Sequence, residues 1–211
     1  MTARAAPLVR ARTPGASARH VLRGWAKVAL LLAGLAIIVG VRWAGTRAGL
    51  DPLVLGVVFG LGLVVLARTR PQRPQRPAAW NLAIGAVAGL ALLALTTLGA
   101  AIAGSNLPAG LGRPAAPFLS WAAITILVAA GEEAFLRGRL FDATRHAAGT
   151  LAAVTVTTVA FALLHVPLYG WHVVPLDLGV GLGFAGLRLI TRGIAAPATA
   201  HVVADLATWW L

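Results

Sequence analysis

Apolar residues run in seven blocks, each near the ~20 residues that one membrane crossing needs. They lie at approximately 25–45, 50–67, 79–103, 117–137, 150–168, 173–190 and 194–211. This pattern predicts an all-α, polytopic transmembrane helix bundle of about seven spans. The first block, "HVLRGWAKVALLLAGLAIIVG", joins a basic stretch to an apolar core as a signal peptide does. Six further blocks and no clean small-residue cleavage pattern predict an uncleaved anchor. Between the second and third blocks, "RTRPQRPQRPAAW" mixes Pro with Arg, which stops helices and stays solvated, and predicts a cytoplasmic turn over 68–77. Three glycine pairs spaced by four, Gly56 with Gly60, Gly85 with Gly89 and Gly179 with Gly183, predict close helix packing inside the molecule. "GLGFAG" matches G-x-G-x-x-G, but its glycines lie within one apolar block and not at a strand-to-helix turn, so it predicts no nucleotide site. Trp209 and Trp210 fit an interfacial aromatic belt.

Composition agrees with that pattern. The chain of 211 residues is 59% hydrophobic and 11% charged, with a mean hydropathy of +0.84, which excludes an ordinary soluble domain. Cysteine is absent, so disulfides and Cys-ligated metals are excluded. The net charge of +12 is scattered between the apolar blocks, a topology signal and no nucleic-acid patch. With the amino terminus in the cytoplasm, fifteen cations fall inside: Arg4, Arg10, Arg12, Arg19, Arg23, Lys27, Arg68, Arg70, Arg73, Arg76, Arg137, Arg139, Arg145, Arg188 and Arg192. Three, Arg42, Arg47 and Arg113, fall outside. The expected organisation is a basic cytoplasmic tail at 1–24, disordered to about residue 20, three accessory spans over 25–114 and a four-span core over 115–211. Arg and Ala excess suggests a GC-rich bacterial genome, and the expected location is the inner (plasma) membrane, multi-pass.

Charged groups inside apolar spans cost about 2.5–3.5 kcal/mol each on insertion scales, so each is a functional candidate. Glu132 and Glu133 stand near the end of the fourth block, His165 in the fifth, and His201 with Asp205 in the seventh. Glu133 and Arg137 are four apart and can pair on one helical face. Glu132, rotated by about 100°, misses that Arg and faces a cavity, free to take a proton from water. His165 and His201 with carboxylates from separate helices resemble the ligands of a hydrolytic zinc site with an open position for water. Asp205, four residues after His201, can ligate or can orient the imidazole. If the chain turns near residue 148, Glu132 and His165 both lie about 25 Å along their helices, at matching depth. His201, only about eight residues beyond a turn near 193, fits this depth only if that turn is sunk in the membrane or the fourth helix is broken. Arg137 is expected in the site through Glu133, Phe161 as a residue shaping the cavity, and His172 as an interfacial residue. His146 and His20, and Asp51, Asp142 and Asp177 at span ends, are expected to have no part in the chemistry.

Three motifs now line up: "EEAFLR" with Glu132, Glu133 and Arg137, "FALLH" with Phe161 and His165, and "HVVAD" with His201 and Asp205. Together, and in this order within apolar helices, they resemble the intramembrane metalloproteases of the CAAX-protease and bacteriocin-processing (CPBP, or Abi) family, whose pattern is E-E-x-x-x-R, F-x-x-x-H and H-x-x-x-N or D. The resemblance covers roughly 115–211. It implies that Glu132 is the water-activating base and that His165, His201 and Asp205 bind metal or stabilise the transition state. Asp205 stands where many members carry Asn, which adds a negative charge.

The expected function is therefore intramembrane endopeptidase activity, with Glu132 activating a water polarised by His165, His201 and a zinc ion in a cavity open to the cytoplasmic side. Expected partners are a peptide or protein substrate and the lipid bilayer, with no nucleic acid. A bacterial cell lacks prenylated proteins, so a maturation or immunity role on another peptide is expected. Two rival classes exist: a proton-coupled transporter using the same groups as a relay, and a non-catalytic immunity or scaffold protein. The absence of a visible inverted repeat argues against the first, and the intact motif set argues against the second.

Overall fold

The computed structural model describes residues 14–68, 77–102 and 116–210, and its elements there are helical. Helices α1 (Pro14–Arg47), α2 (Pro52–Ala67) and α3 (Ala78–Ile102) come first. Then α4 (Phe118–Glu133) passes through a π-helical stretch (Ala134–Leu140) into α5 (Phe141–Tyr169). A short 3-10 turn (Trp171–Val173) leads to α6 (Val174–Thr191) and α7 (Ala195–Ala207), which ends in a second 3-10 turn (Thr208–Trp210). Each of the seven apolar blocks is thus helical. Four tracts are long and apolar enough to cross a membrane: Val21–Arg47, Ala78–Leu98, Phe118–Tyr169 and Trp171–Thr191. Pro52–Ala67 is apolar but shorter. A helical membrane protein follows from these lengths.

Apolar composition makes the helices, and a few residues stop them. Asp51 caps α2 by accepting from the main-chain N–H of Leu53 (2.8 Å) and Val54 (3.0 Å), with Pro52 next in line where its missing N–H costs nothing. The Phe118–Tyr169 tract is broken at Gly149, whose φ of 85° and ψ of 178° suit only glycine. The chain doubles back there: the Arg137 guanidinium lies 4.7 Å from the Phe161 ring, whereas 24 residues of straight helix would separate them by about 36 Å. Gly170, at φ 90°, ends α5 in the same way. The first helix starts at Pro14, so the disordered tail expected to about residue 20 is helical from there. The Pro/Arg turn falls mostly on 69–76, outside the described residues.

Small residues set the packing. A Cβ on Gly56 would lie 2.6 Å from Ile124 and one on Gly60 2.8 Å from Leu127, so α2 lies close on α4. A Cβ on Gly85 would meet the Ala196 carbonyl at 2.5 Å and one on Gly89 the Ala200 carbonyl at 2.6 Å, so α3 lies backbone-close on α7. Gly179 and Gly183 differ from expectation: no described atom lies within 4 Å of a Cβ at either, so this pair packs no helix among the described residues. The first three helices are therefore built into the same bundle as the last four. The α3 contact also answers the depth question for His201. The α6–α7 turn sits beside Gly85, seven residues into α3 or about 10 Å along it, with Ala196 and Pro197 buried. α7 thus starts partway through the bundle, which brings His201 level with the acids on α4.

Candidate active site

The two glutamates end α4, and the π-helical stretch begins directly after them. Such wide turns in a helix often mark functional sites. Glu133 and Arg137 are both fully buried, and Arg137 Nη1 donates to Glu133 Oε1 at 2.7 Å, the pairing that their spacing predicts. Arg137 Nη2 donates to the Gly181 carbonyl at 3.0 Å, and its guanidinium lies over the rings of Phe161 (4.7 Å) and Phe184 (5.3 Å). Arg188 in turn donates from Nε to the Arg137 carbonyl at 2.9 Å and pairs with Asp142 at 3.3 Å. The π-helical stretch is therefore tied to α6 through both arginines.

His201 completes the link to α7. Its Nδ1 lies 3.2 Å from Glu133 Oε1, so that oxygen faces two donors. Its Nε2 lies 3.5 Å from Asp205 Oδ2 and 3.9 Å from Glu132 Oε2. Glu132 is 2% exposed, and its Oε2 has no hydrogen-bond partner among the described residues. Glu133 Oε2 is likewise without a partner, and burying carboxylate oxygens without donors is costly, so water or a substrate N–H has much to offer beside the two acids. Phe161 lies between these groups: its ring meets His165 (4.9 Å), His201 (5.5 Å) and Phe184 (5.9 Å).

His165 uses a partner that the sequence reading set aside. Its Nδ1 donates to the Phe161 carbonyl at 3.1 Å and has Asp177 Oδ2 as an ionic neighbour at 3.2 Å without hydrogen-bond geometry, so Nε2 is left for other use. Asp177, expected to have no part in the chemistry, thus lies against His165 within ion-pair distance. Asp142 likewise has a structural role through Arg188. Arg42 of α1 stacks 4.6 Å over Phe59 and lies within electrostatic reach of Glu132, so the first helix also contributes to the surroundings of the site. Exchanging Asp177 for Asn should keep the fold and lower turnover by about tenfold, as when a carboxylate that orients a functional imidazole is lost. Kinetic assay of Asp177→Asn beside Asp177→Glu checks this, and unchanged turnover in the Asn variant would show that Asp177 does not position His165.

The structure brings Glu132, Glu133, Arg137, His201 and Asp205 into one contact network and joins His165 to it across Phe161. It does not arrange a metal site: no group of three His, Asp or Glu side chains among the described residues could hold an ion. For His165, His201 and Asp205 to ligate zinc, Nε2 of each imidazole and the Asp205 carboxylate would have to converge on one point, which they do not do here. The donor set as it stands does not fit, and no step below is routed through a metal.

Residues 114–207 match the family described as type II CAAX prenyl endopeptidase Rce1-like. Through this carboxy-terminal stretch, which carries all three motifs, the chain is similar to the CAAX protease family. The helices α1 to α3 lie outside the match. No curated protein and no solved structure matches the chain.

Proposed function

We propose that the protein is a membrane-embedded endopeptidase of the CAAX type, with seven spans, its amino terminus in the cytoplasm and its catalytic residues in the core at 115–211. The observation that carries this reading is the pair of adjacent buried acids in different states of engagement: Glu133 is held at Oε1 by Arg137 and His201, whereas Glu132 makes no hydrogen bond among the described residues and has His201 Nε2 only at 3.9 Å.

In the reaction, a water between Glu132 and His165 loses a proton to Glu132 as its oxygen attacks the peptide carbonyl carbon. His165 Nε2, with Nδ1 engaged by the Phe161 carbonyl, orients that water. His201 points Nε2 into the space between Glu132 and Asp205, where it polarises the water or the developing oxyanion. The carbon–nitrogen bond then breaks and Glu132 returns the proton to the leaving amine. Glu133 and Arg137 touch no reacting atom in this scheme; they hold the end of α4 and His201 in register. Zinc, expected from the family resemblance, would supply Lewis-acid activation of the water if present, and metal analysis of the purified protein decides its presence.

The test is direct. Purified protein in proteoliposomes should cut a membrane-associated peptide and should carry no proton current. Proton flux without hydrolysis would assign the same residues to a relay.

A further inference from the structure

Resting on the protease reading, we infer that Arg42, on a helix outside the family match, binds a carboxylate of the substrate beside the reacting groups and so selects which peptides are cut. Arg42 lies within the apolar tract Val21–Arg47 and is half-buried. Arg137 and Arg188 are paired with Glu133 and Asp142, whereas the Arg42 side chain has neither a hydrogen bond nor an ion pair among the described residues. Its guanidinium lies 4.6 Å over the Phe59 ring. A cation inside an apolar span is costly and calls for a partner. Among the described residues Arg42 has none, which leaves a ligand to supply it.

Three contacts place Arg42 beside the candidate active site. The helices α1 and α5 pack together, with their register set where a Cβ on Gly24 would meet Ala147 at 2.9 Å. From there Arg42 lies about 27 Å along α1, and His165 lies about 24 Å along α5 from Gly149, so the two are level. Phe59 leads to the acids by a second route. The carbonyl of the next residue, Gly60, would lie 3.2 Å from a Cβ on Gly131, and Glu132 follows directly. The third contact is Tyr169, whose ring centroid is 5.8 Å from that of His165. Its phenol lies within electrostatic reach of Arg42, Asp205 and Glu132, as Glu132 does of Arg42.

The ligand follows from charge and shape. A guanidinium offers a planar fork of donors that matches a carboxylate, and the Tyr169 hydroxyl adds a further donor nearby. The groups around the two imidazoles are themselves carboxylates, Asp177 beside His165 and Glu132 and Asp205 beside His201. Like charges brought together are disfavoured, so an acidic substrate group is accepted beside Arg42 and rejected elsewhere in the site. The preference is therefore confined to one position along the peptide. A lipid phosphate would draw the guanidinium outward, as snorkelling cations are drawn; instead it covers Phe59, which is buried, on the side of the acids. The match at residues 114–207 leaves α1 out, so this selectivity belongs to the part of the chain that the family model does not describe.

The test uses the full-length protein in maltoside micelles, which hold no phosphate. Its substrates are membrane-associated peptides that differ by one Gln-to-Glu exchange, moved along the sequence, or by a free against an amidated carboxy terminus. Wild type should cut one Glu peptide, or the free acid, about 10- to 100-fold more efficiently in kcat/KM than its neutral counterpart, through KM; which of the two is preferred tells a side-chain from a terminal carboxylate. Arg42→Gln should abolish that preference, Arg42→Lys should retain part of it, and Arg42→Glu should turn it towards a Lys peptide. No preference in wild type, or one retained in Arg42→Gln, overturns the inference and leaves the protease reading intact. An equal loss on every peptide overturns it too, since Arg42 would then act only through its field on Glu132. No cleavage of any peptide overturns the protease reading instead. Binding still reads Arg42 in that case: by fluorescence anisotropy the Glu132→Gln variant should hold the acidic peptide more tightly than the neutral one, and lose the difference when Arg42→Gln is added. Equal affinity for the two peptides overturns the inference on its own.

Discussion

Glu132→Gln should abolish peptide cleavage, by at least ~10²–10⁴-fold in turnover, while the protein stays folded. Both halves of this expectation have a structural reason. Gln keeps the volume of a side chain that is 2% exposed, and Glu132 Oε2 has no hydrogen-bond partner among the described residues to lose. Its nearest ionic neighbour, His201 Nε2, is 3.9 Å away, at the outer limit of an ion pair. What Gln cannot do is take a proton from water. Monodisperse elution and an unchanged melting temperature beside lost cleavage are the expected measurements. Cleavage at the wild-type rate would remove Glu132 from the reaction.

Arg137→Ala should behave in the opposite way and lose the fold first. Arg137 and Glu133 are both fully buried and 2.7 Å apart. Removing the guanidinium leaves a buried carboxylate with His201 Nδ1 as its remaining partner, takes a side-chain donor from the Gly181 carbonyl, and empties the space over Phe161 and Phe184. Breaking a buried pair from one side costs about 3–5 kcal/mol, enough to unfold a marginal protein. A Glu133→Gln, Arg137→Gln double variant removes both charges together and should recover part of that loss in a thermal melt. A single variant as stable as wild type would mean that the pair does not hold the end of α4.

The contrast between these adjacent acids was half legible in the sequence. Spacing by four put Glu133 with Arg137 and left Glu132 out, and the structure has that pairing. The seven helices were legible because apolar runs near 20 residues have few other fates. The partnership of His165 with Asp177 was not, because it depends on how the chain turns at Gly170 and re-enters as α6; a linear reading places Asp177 at a span end. Arg188 read as a topology charge for the same reason, since its contact with the Arg137 carbonyl spans 51 residues. Gly179 and Gly183 have the spacing of a packing pair without a packed neighbour, because periodicity gives a helix face but not what covers it. The depth of His201 depends on Gly85 letting the α6–α7 turn sit against α3, a tertiary contact that no local pattern encodes.

Mass spectrometry of a membrane-associated peptide incubated with purified, reconstituted protein tests the central claim most directly. The account predicts two fragments whose masses sum to the peptide plus one water, formed by the wild-type protein and absent with Glu132→Gln. An intact peptide under conditions where the wild-type protein is folded and embedded would contradict it.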